Sequence, residues 1–154
     1  MTIEAGARPE RRLRSRTRAF TVGPASGQLT VSYGLGGAPV RVEIRMAKQG
    51  STLHGLLDLL SASLSRGLAA GVPLADLLAD CLSTRFEPAG MTDDPQIPQA
   101  TSVTDYAARR LALDCLPYEQ RQELGVLTRE ERVTGEQRVW PWRLSTGITV
   151  PRRR

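Results

Sequence analysis

The sequence predicts an α+β fold: a short antiparallel β-meander of about three strands, followed by three to four helices packed on one sheet face. Two observations predict it. Apolar residues alternate at period two from Phe20 to Met46, and from Leu53 onward they recur at the 3.6-residue period of a helix. Tight turns join the alternating runs, which suits an antiparallel meander with one wet face. Strands first and helices after is the order of segregated layers.

Strand signals begin near Arg18, where Phe20 and Val22 flank Thr21, and Gly23-Pro24-Ala25-Ser26-Gly27 is a turn or loop. Leu29, Val31 and Tyr33 then alternate with Thr30 and Ser32. Gly34-Leu35-Gly36-Gly37 reverses the chain. It lies between two strands, so it reads as a hairpin turn and not as a phosphate loop, which would open a helix. Val40, Val42, Ile44 and Met46 face one way, and Arg41, Glu43 and Arg45 the other.

Ser51 is a good N-cap for the first helix. Leu53, Leu56, Leu57, Leu60, Leu64 and Leu68 form its apolar stripe, with Ser51, His54, Asp58, Ser61 and Ser65 predicted on the opposite side. Gly71 ends it, and Pro73 opens a second helix whose buried face is Leu74, Leu77, Leu78, Cys81 and Leu82. Residues 84–99 read as an irregular crossing. Helix signals resume at Ser102 with Asp105 three residues on, a capping-box-like spacing. Pro117 ends that helix and starts another, which Gly125 closes, and Thr128-Arg129-Glu130-Glu131 reads as a capped helical turn.

The 154 residues suit one domain. The expected organisation is a disordered Arg-rich arm at 1–16, a single domain at 17–135 and a basic tail at 136–154. Net charge is +5, but it is unevenly placed. Residues 1–20 carry six Arg against two Glu, and residues 138–154 carry five Arg and no acid. Residues 21–137 hold nine Arg, Lys48 and fourteen acids, so the folded body is predicted acidic with basic ends. No apolar run approaches the ~20 residues of a membrane helix, and Met1 to Glu10 lacks a signal-like apolar stretch, so the expectation is a cytoplasmic protein with no membrane partner. One histidine and two distant cysteines, Cys81 and Cys115, give no metal site or disulfide framework; the cysteines read as buried thiols.

Ser51, His54 and Asp58 share one helix face, but three groups in a line on a helix seldom give triad geometry, so they read as a cap and a solvated stripe. Lys48, Gly50 and Ser51 stand where a helix N-terminus can receive a phosphate. In the crossing, Arg85 and Glu87 flank Phe86. Two readings stand: a binding loop, or an internal arrangement with Arg85–Glu87 or Arg85–Asp105 ion pairs and Phe86 as a core anchor. The cations Arg11, Arg12, Arg14, Arg16, Arg152, Arg153 and Arg154 are candidates for salt-dependent nucleic-acid contacts by the arms, the alternative being solvated tails. Trp140 and Trp142 are candidates for docking on the body, a partner or a base.

Several separated stretches carry a family resemblance. They are Arg45-Met46-Ala47-Lys48-x-Gly50-Ser51-Thr52 with Gly55-Leu56-Leu57-Asp58, then Ser65-x-Gly67-Leu68-x-x-Gly71-Val72-Pro73-Leu74, then Thr84-Arg85-Phe86-Glu87-Pro88-Ala89-Gly90, and finally Ala100-Thr101-Ser102-x-x-Asp105-Tyr106 with Arg109-Arg110-Leu111. In order and approximate spacing they resemble the C-terminal, TSCPD-type region of cobalamin-dependent (class II) ribonucleotide reductases, of bacterial or phage kind. Leu116-Pro117-Tyr118-Glu119-x-Arg121 and Leu124-Gly125 are similar to an extension in some actinobacterial members. The resemblance implies the accessory domain without the catalytic barrel, so none of the reductase's catalytic residues carries over. It also lacks the Thr-Ser-Cys-Pro-Asp string and a C-terminal cysteine pair.

The expected function is therefore a stand-alone, non-catalytic accessory or regulatory domain in deoxyribonucleotide synthesis. Its partner would be a reductase catalytic chain or another protein, with cobalamin met only through that partner and a nucleotide as a candidate ligand. Lys48, Gly50, Ser51, His54, Arg85, Phe86, Glu87 and Asp105 are the expected binding residues. The alternative from another class is a nucleic-acid-binding or assembly protein that uses basic arms on a reused fold; a homo-oligomer with arms on acidic bodies is a third reading.

Overall fold

The structure, a computed structural model, describes residues 12–134. Arg11, Arg152, Arg153, Arg154, Trp140 and Trp142 lie outside the described residues. Three strands form an antiparallel sheet in the order β1 (Arg14–Val22), β2 (Ala25–Tyr33), β3 (Pro39–Met46). Helices α1 (Thr52–Ala69) and α2 (Leu74–Ala79) follow. The crossing holds a two-residue pair, β4 (Gly90–Met91) with β5 (Gln99–Ala100), which the Pro- and Gly-rich sequence did not announce. Then come α3 (Val103–Cys115), α4 (Tyr118–Glu123) and α5 (Arg129–Thr134). The α+β architecture, strands first and helices after, is the one the periodicities predict.

The sheet's alternation is real. Phe20, Val22, Leu29, Val31, Val42, Ile44 and Met46 are buried together with Leu57, Leu64, Leu78, Val103, Ala107 and Leu111 of the helices. Phe20 stacks on Tyr106 with ring centroids 4.5 Å apart, which ties β1 to α3. The opposite face is polar, with Ser15 on Ser32 and Thr17 on Thr30 as cross-strand hydroxyl pairs.

Two expectations about strand and helix limits fail. β1 begins at Arg14, not near Arg18, so Arg14 and Arg16 belong to the sheet and not to an arm. The pairing Arg14↔Tyr33 and Arg16↔Val31 extends the ladder four residues past the apolar pattern, because backbone pairing with β2 needs no apolar side chain.

The polar face of α1 is also misassigned. Ser61 and Ser65 face the sheet, and Leu56 is 58% exposed. β3 is an edge strand whose amides point away from β2 at alternate positions. Ser61 Oγ accepts the Ile44 amide (2.9 Å) and donates to the Leu57 carbonyl. Ser65 Oγ accepts the Val42 amide (3.0 Å) and donates to the Val42 carbonyl. The helix thus closes the sheet edge with hydroxyls, which satisfies buried backbone groups and removes an aggregation-prone edge. A hydrophobicity count cannot see a serine that is buried for this reason.

At the other edge, the Thr21 amide donates to Asp93 and the Gly23 amide to the Met91 carbonyl, so the crossing loop is held on the end of β1. Gly23 has φ +55°, and a Cβ there would lie 2.4 Å from the Ala89 carbonyl oxygen. Only glycine lets the β1–β2 turn and the crossing approach this closely.

A clamped loop with an exposed aromatic

The segments Thr84–Gly90 and Ala100–Asp105, far apart in sequence, are hydrogen-bonded to each other. Ser102 caps α3, its Oγ accepting the Asp105 amide (2.9 Å), and the same Oγ meets Thr84 Oγ1 at 2.8 Å. Thr101 Oγ1 donates to the Thr84 carbonyl (2.7 Å), and the Phe86 amide donates to the Thr101 carbonyl (3.2 Å). Asp105 is 1% exposed. Its carboxylate accepts the Ser83 amide (2.7 Å), the Thr101 amide (3.1 Å) and the Arg109 Nε (3.0 and 3.1 Å). Burial pushes that carboxyl's pKa up, but the Arg109 guanidinium and the two amides outweigh it and hold it below the usual range.

Asp105 is therefore a clamp and not a ligand-facing residue, which corrects its place among the expected binding groups. The internal ion-pair reading of the loop fails as well. Asp105 pairs with Arg109, Glu87 Oε2 accepts the Ala89 amide, and Arg85 has no ion pair among the described residues. Phe86 is 40% exposed, so it is no core anchor. The loop, which includes a cis Glu87–Pro88 bond, presents Arg85, Phe86 and Glu87 along an open cleft of about 500 Å³ floored by Gln99, Ala100 and Thr101.

Lys48, Gly50, Ser51 and His54 form a separate feature. Ser51 is the N-cap, its Oγ accepting the His54 amide at 3.2 Å. His54 Nε2 lies 3.5 Å from Asp58 Oδ2, while its Nδ1 is buried without a partner. Neither ring nitrogen of His54 is bonded to the Ser51 hydroxyl, so the described residues form no nucleophile–base pair here. Lys48 and Gly50 are exposed. Among the described residues, no hydrogen bond or ion pair joins this feature to the cleft. Sequence reasoning missed a third group: Arg110, 4% exposed, bonded to Asp94, Gln96 and Asp114, with Tyr106 donating to Asp94. Its only sequence signal is an arginine at a position where the period of α3 calls for an apolar residue.

The model of the TSCPD domain matches residues 2–115. The chain belongs to the TSCPD domain family. This TSCPD domain is 51% identical over 120 residues to the vitamin B12-dependent ribonucleotide reductase of Streptomyces avermitilis, covering 75% of the chain and 12% of that protein. The corresponding proteins of Streptantibioticus cattleyicolor (50% over 120 residues, 75% of the chain and 19% of that protein) and Rhodopirellula baltica (39% over 99 residues, 64% and 10%) are also similar. The chain thus spans a small fraction of the relatives' length. No solved structure matches it.

The relatives' names imply a corrinoid, and the described residues do not fit one. The open clefts near 500 Å³ are the size of drug-like sites, too small to enclose a corrinoid, and the single histidine is turned to Asp58. Among the described residues no group of His, Cys, Asp and Glu is placed to hold a metal ion, and no helix is long and apolar enough to cross a membrane.

Proposed function

We propose that this TSCPD domain is a non-catalytic accessory unit that docks on the catalytic chain of a vitamin B12-dependent ribonucleotide reductase in the cytoplasm and serves deoxyribonucleotide synthesis. Cobalamin belongs to that partner. The observation that carries the reading is Phe86: a large aromatic, 40% exposed, on a loop held by four hydrogen bonds and flanked by an arginine that makes no ion pair among the described residues. Exposing an aromatic costs solvation, and a rigid loop presents it at little ordering cost, which is the profile of an interface anchor. The likeness to between about a tenth and a fifth of the length of much longer reductases supports the choice of partner.

The test is calorimetric titration of the full chain against a purified catalytic chain of such a reductase. Binding is expected, and Phe86→Ala should weaken it by about 30-fold, equivalent to roughly 2 kcal/mol for an anchor. Far-ultraviolet circular dichroism should be unchanged, since the ring is not core. Equal binding by Phe86→Ala would remove the loop from the interface, and no binding at all would end the proposal.

A further inference from the structure

The basic arm expected at the N-terminus is partly a strand, and this changes what its arginines can do. Arg14, Arg16 and Arg18 occupy alternate positions of β1, so all three project from one face, at a repeat of about 6.8 Å. Arg12 precedes them. Among the described residues none of the four makes an ion pair, whereas Arg45, Arg109, Arg110 and Arg121 are each matched to a carboxylate. Arg12, Arg14 and Arg16 are exposed and Arg18 is half-buried.

The row ends in a cleft of about 500 Å³ where Arg12 and Arg14 meet Tyr33 and the hairpin residues Gly34, Leu35 and Gly37. Leu35 is 95% exposed. Arginines at alternate positions of one strand, ending at an aromatic ring and an exposed apolar side chain, match one extended polyanion that also carries flat apolar groups. A duplex presents two backbones with its bases stacked inside, whereas a single strand carries one free planar base for every phosphate, a regular pairing that an acidic peptide lacks.

We propose that β1 and the β2–β3 hairpin bind single-stranded nucleic acid, with phosphates along Arg12, Arg14, Arg16 and Arg18 and a base against Tyr33 and Leu35. The surface is distinct from the Phe86 loop and does not depend on the reductase reading.

Fluorescence anisotropy of a labelled 20-nucleotide single strand tests it, with a salt series on the full chain. To separate strand from arms, the background variant is the full chain with Arg8, Arg11, Arg152, Arg153 and Arg154 changed to Gln. Four phosphate contacts predict that this variant keeps a log–log salt slope steeper by about 2.8 than a chain without them, or about 50-fold in affinity between 50 and 200 mM salt. Adding Arg12→Gln, Arg14→Gln and Arg16→Gln should flatten the slope by about 2. The matching Lys substitutions should restore it. Tyr33→Leu should weaken binding without changing the slope.

An unchanged slope in the triple Gln variant overturns the proposal. So does a duplex that binds better than the single strand, polyglutamate that competes as well as the oligonucleotide, or displacement of the strand by a free nucleoside triphosphate at equal phosphate concentration.

Discussion

Asp105→Asn tests whether the loop that presents Phe86 is held from beneath. The substitution keeps shape and removes charge. Three donors converge on the native carboxylate: two backbone amides and the Arg109 Nε. An asparagine offers one oxygen and turns its NH₂ toward the remaining donors. Arg109 is 25% exposed on its side chain and can turn to water. The backbone amide that faces the NH₂ cannot, and a buried unpaired donor costs about 1–3 kcal/mol. Loss of the charge-assisted bond on the other side brings the expected cost to about 3 kcal/mol. For a domain of this size that lowers Tm by roughly 10 °C.

The pH profile separates this from a generic loss. A carboxyl with a depressed folded-state pKa contributes stability that is present above its unfolded value near 3.9 and is lost as pH falls through the folded one. The gap in urea midpoint between native and Asp105→Asn chains should therefore be full at pH 6 and narrow below pH 4. A variant within 1 °C of native at pH 6, or a gap independent of pH, would refute the clamp.

Two further predictions follow from buried pairs. Ser61→Ala leaves the buried Ile44 amide without an acceptor and should cost about 1–3 kcal/mol by urea denaturation. Ser63→Ala, whose exposed hydroxyl only bonds back to the Leu59 carbonyl, should be neutral or slightly stabilising, and equal effects at the two positions would remove the edge-closing role. Glu131 makes a bidentate pair with Arg121 at 2.7 and 2.8 Å, which holds its carboxyl down at about 2. Glu131→Gln should destabilise by about 3 kcal/mol near neutral pH. Because the pair's contribution is lost as pH falls from the unfolded value near 4.3 toward 2, the two chains should converge in acid when melted in parallel.

The fold was legible where one physical rule governs a residue. Period two located Leu29–Tyr33 and Val40–Met46, and the caps Ser51 and Ser102 and the breaks Gly71 and Gly125 stand where propensity puts them. It was illegible where a residue answers to a distant backbone group. Ser61 looks like solvent-facing polarity until β3 is known to be an edge, and Arg14 looks like a tail until β2 is known to be long enough to pair with it. The site divides along the same line. The loop and Phe86 stand out from Pro, Gly and charge, but Asp105 reads as a capping-box acid and a binding candidate, because the amides of Ser83 and Thr101 reach it through a fold that no local window contains.

That division bears on what the family likeness means. The two most distinctive quoted stretches, Thr84–Gly90 and Ala100–Asp105, are each other's hydrogen-bond partners. Thr84, Thr101, Ser102 and Asp105 direct their polar groups to one another and to backbone amides and carbonyls. A family pattern built on such residues records a shape, and a shape is needed wherever the domain sits, joined to a reductase or not. What the clamp leaves facing outward is Arg85, Phe86 and Glu87; of these Glu87 also accepts the Ala89 amide, and among the described residues Arg85 makes no ion pair. Phe86→Ala should therefore be silent in a melt and visible in binding, whereas Asp105→Asn should be visible in both. The pattern inverts if the loop is only a structural plug: Phe86→Ala would then lower Tm and leave binding alone.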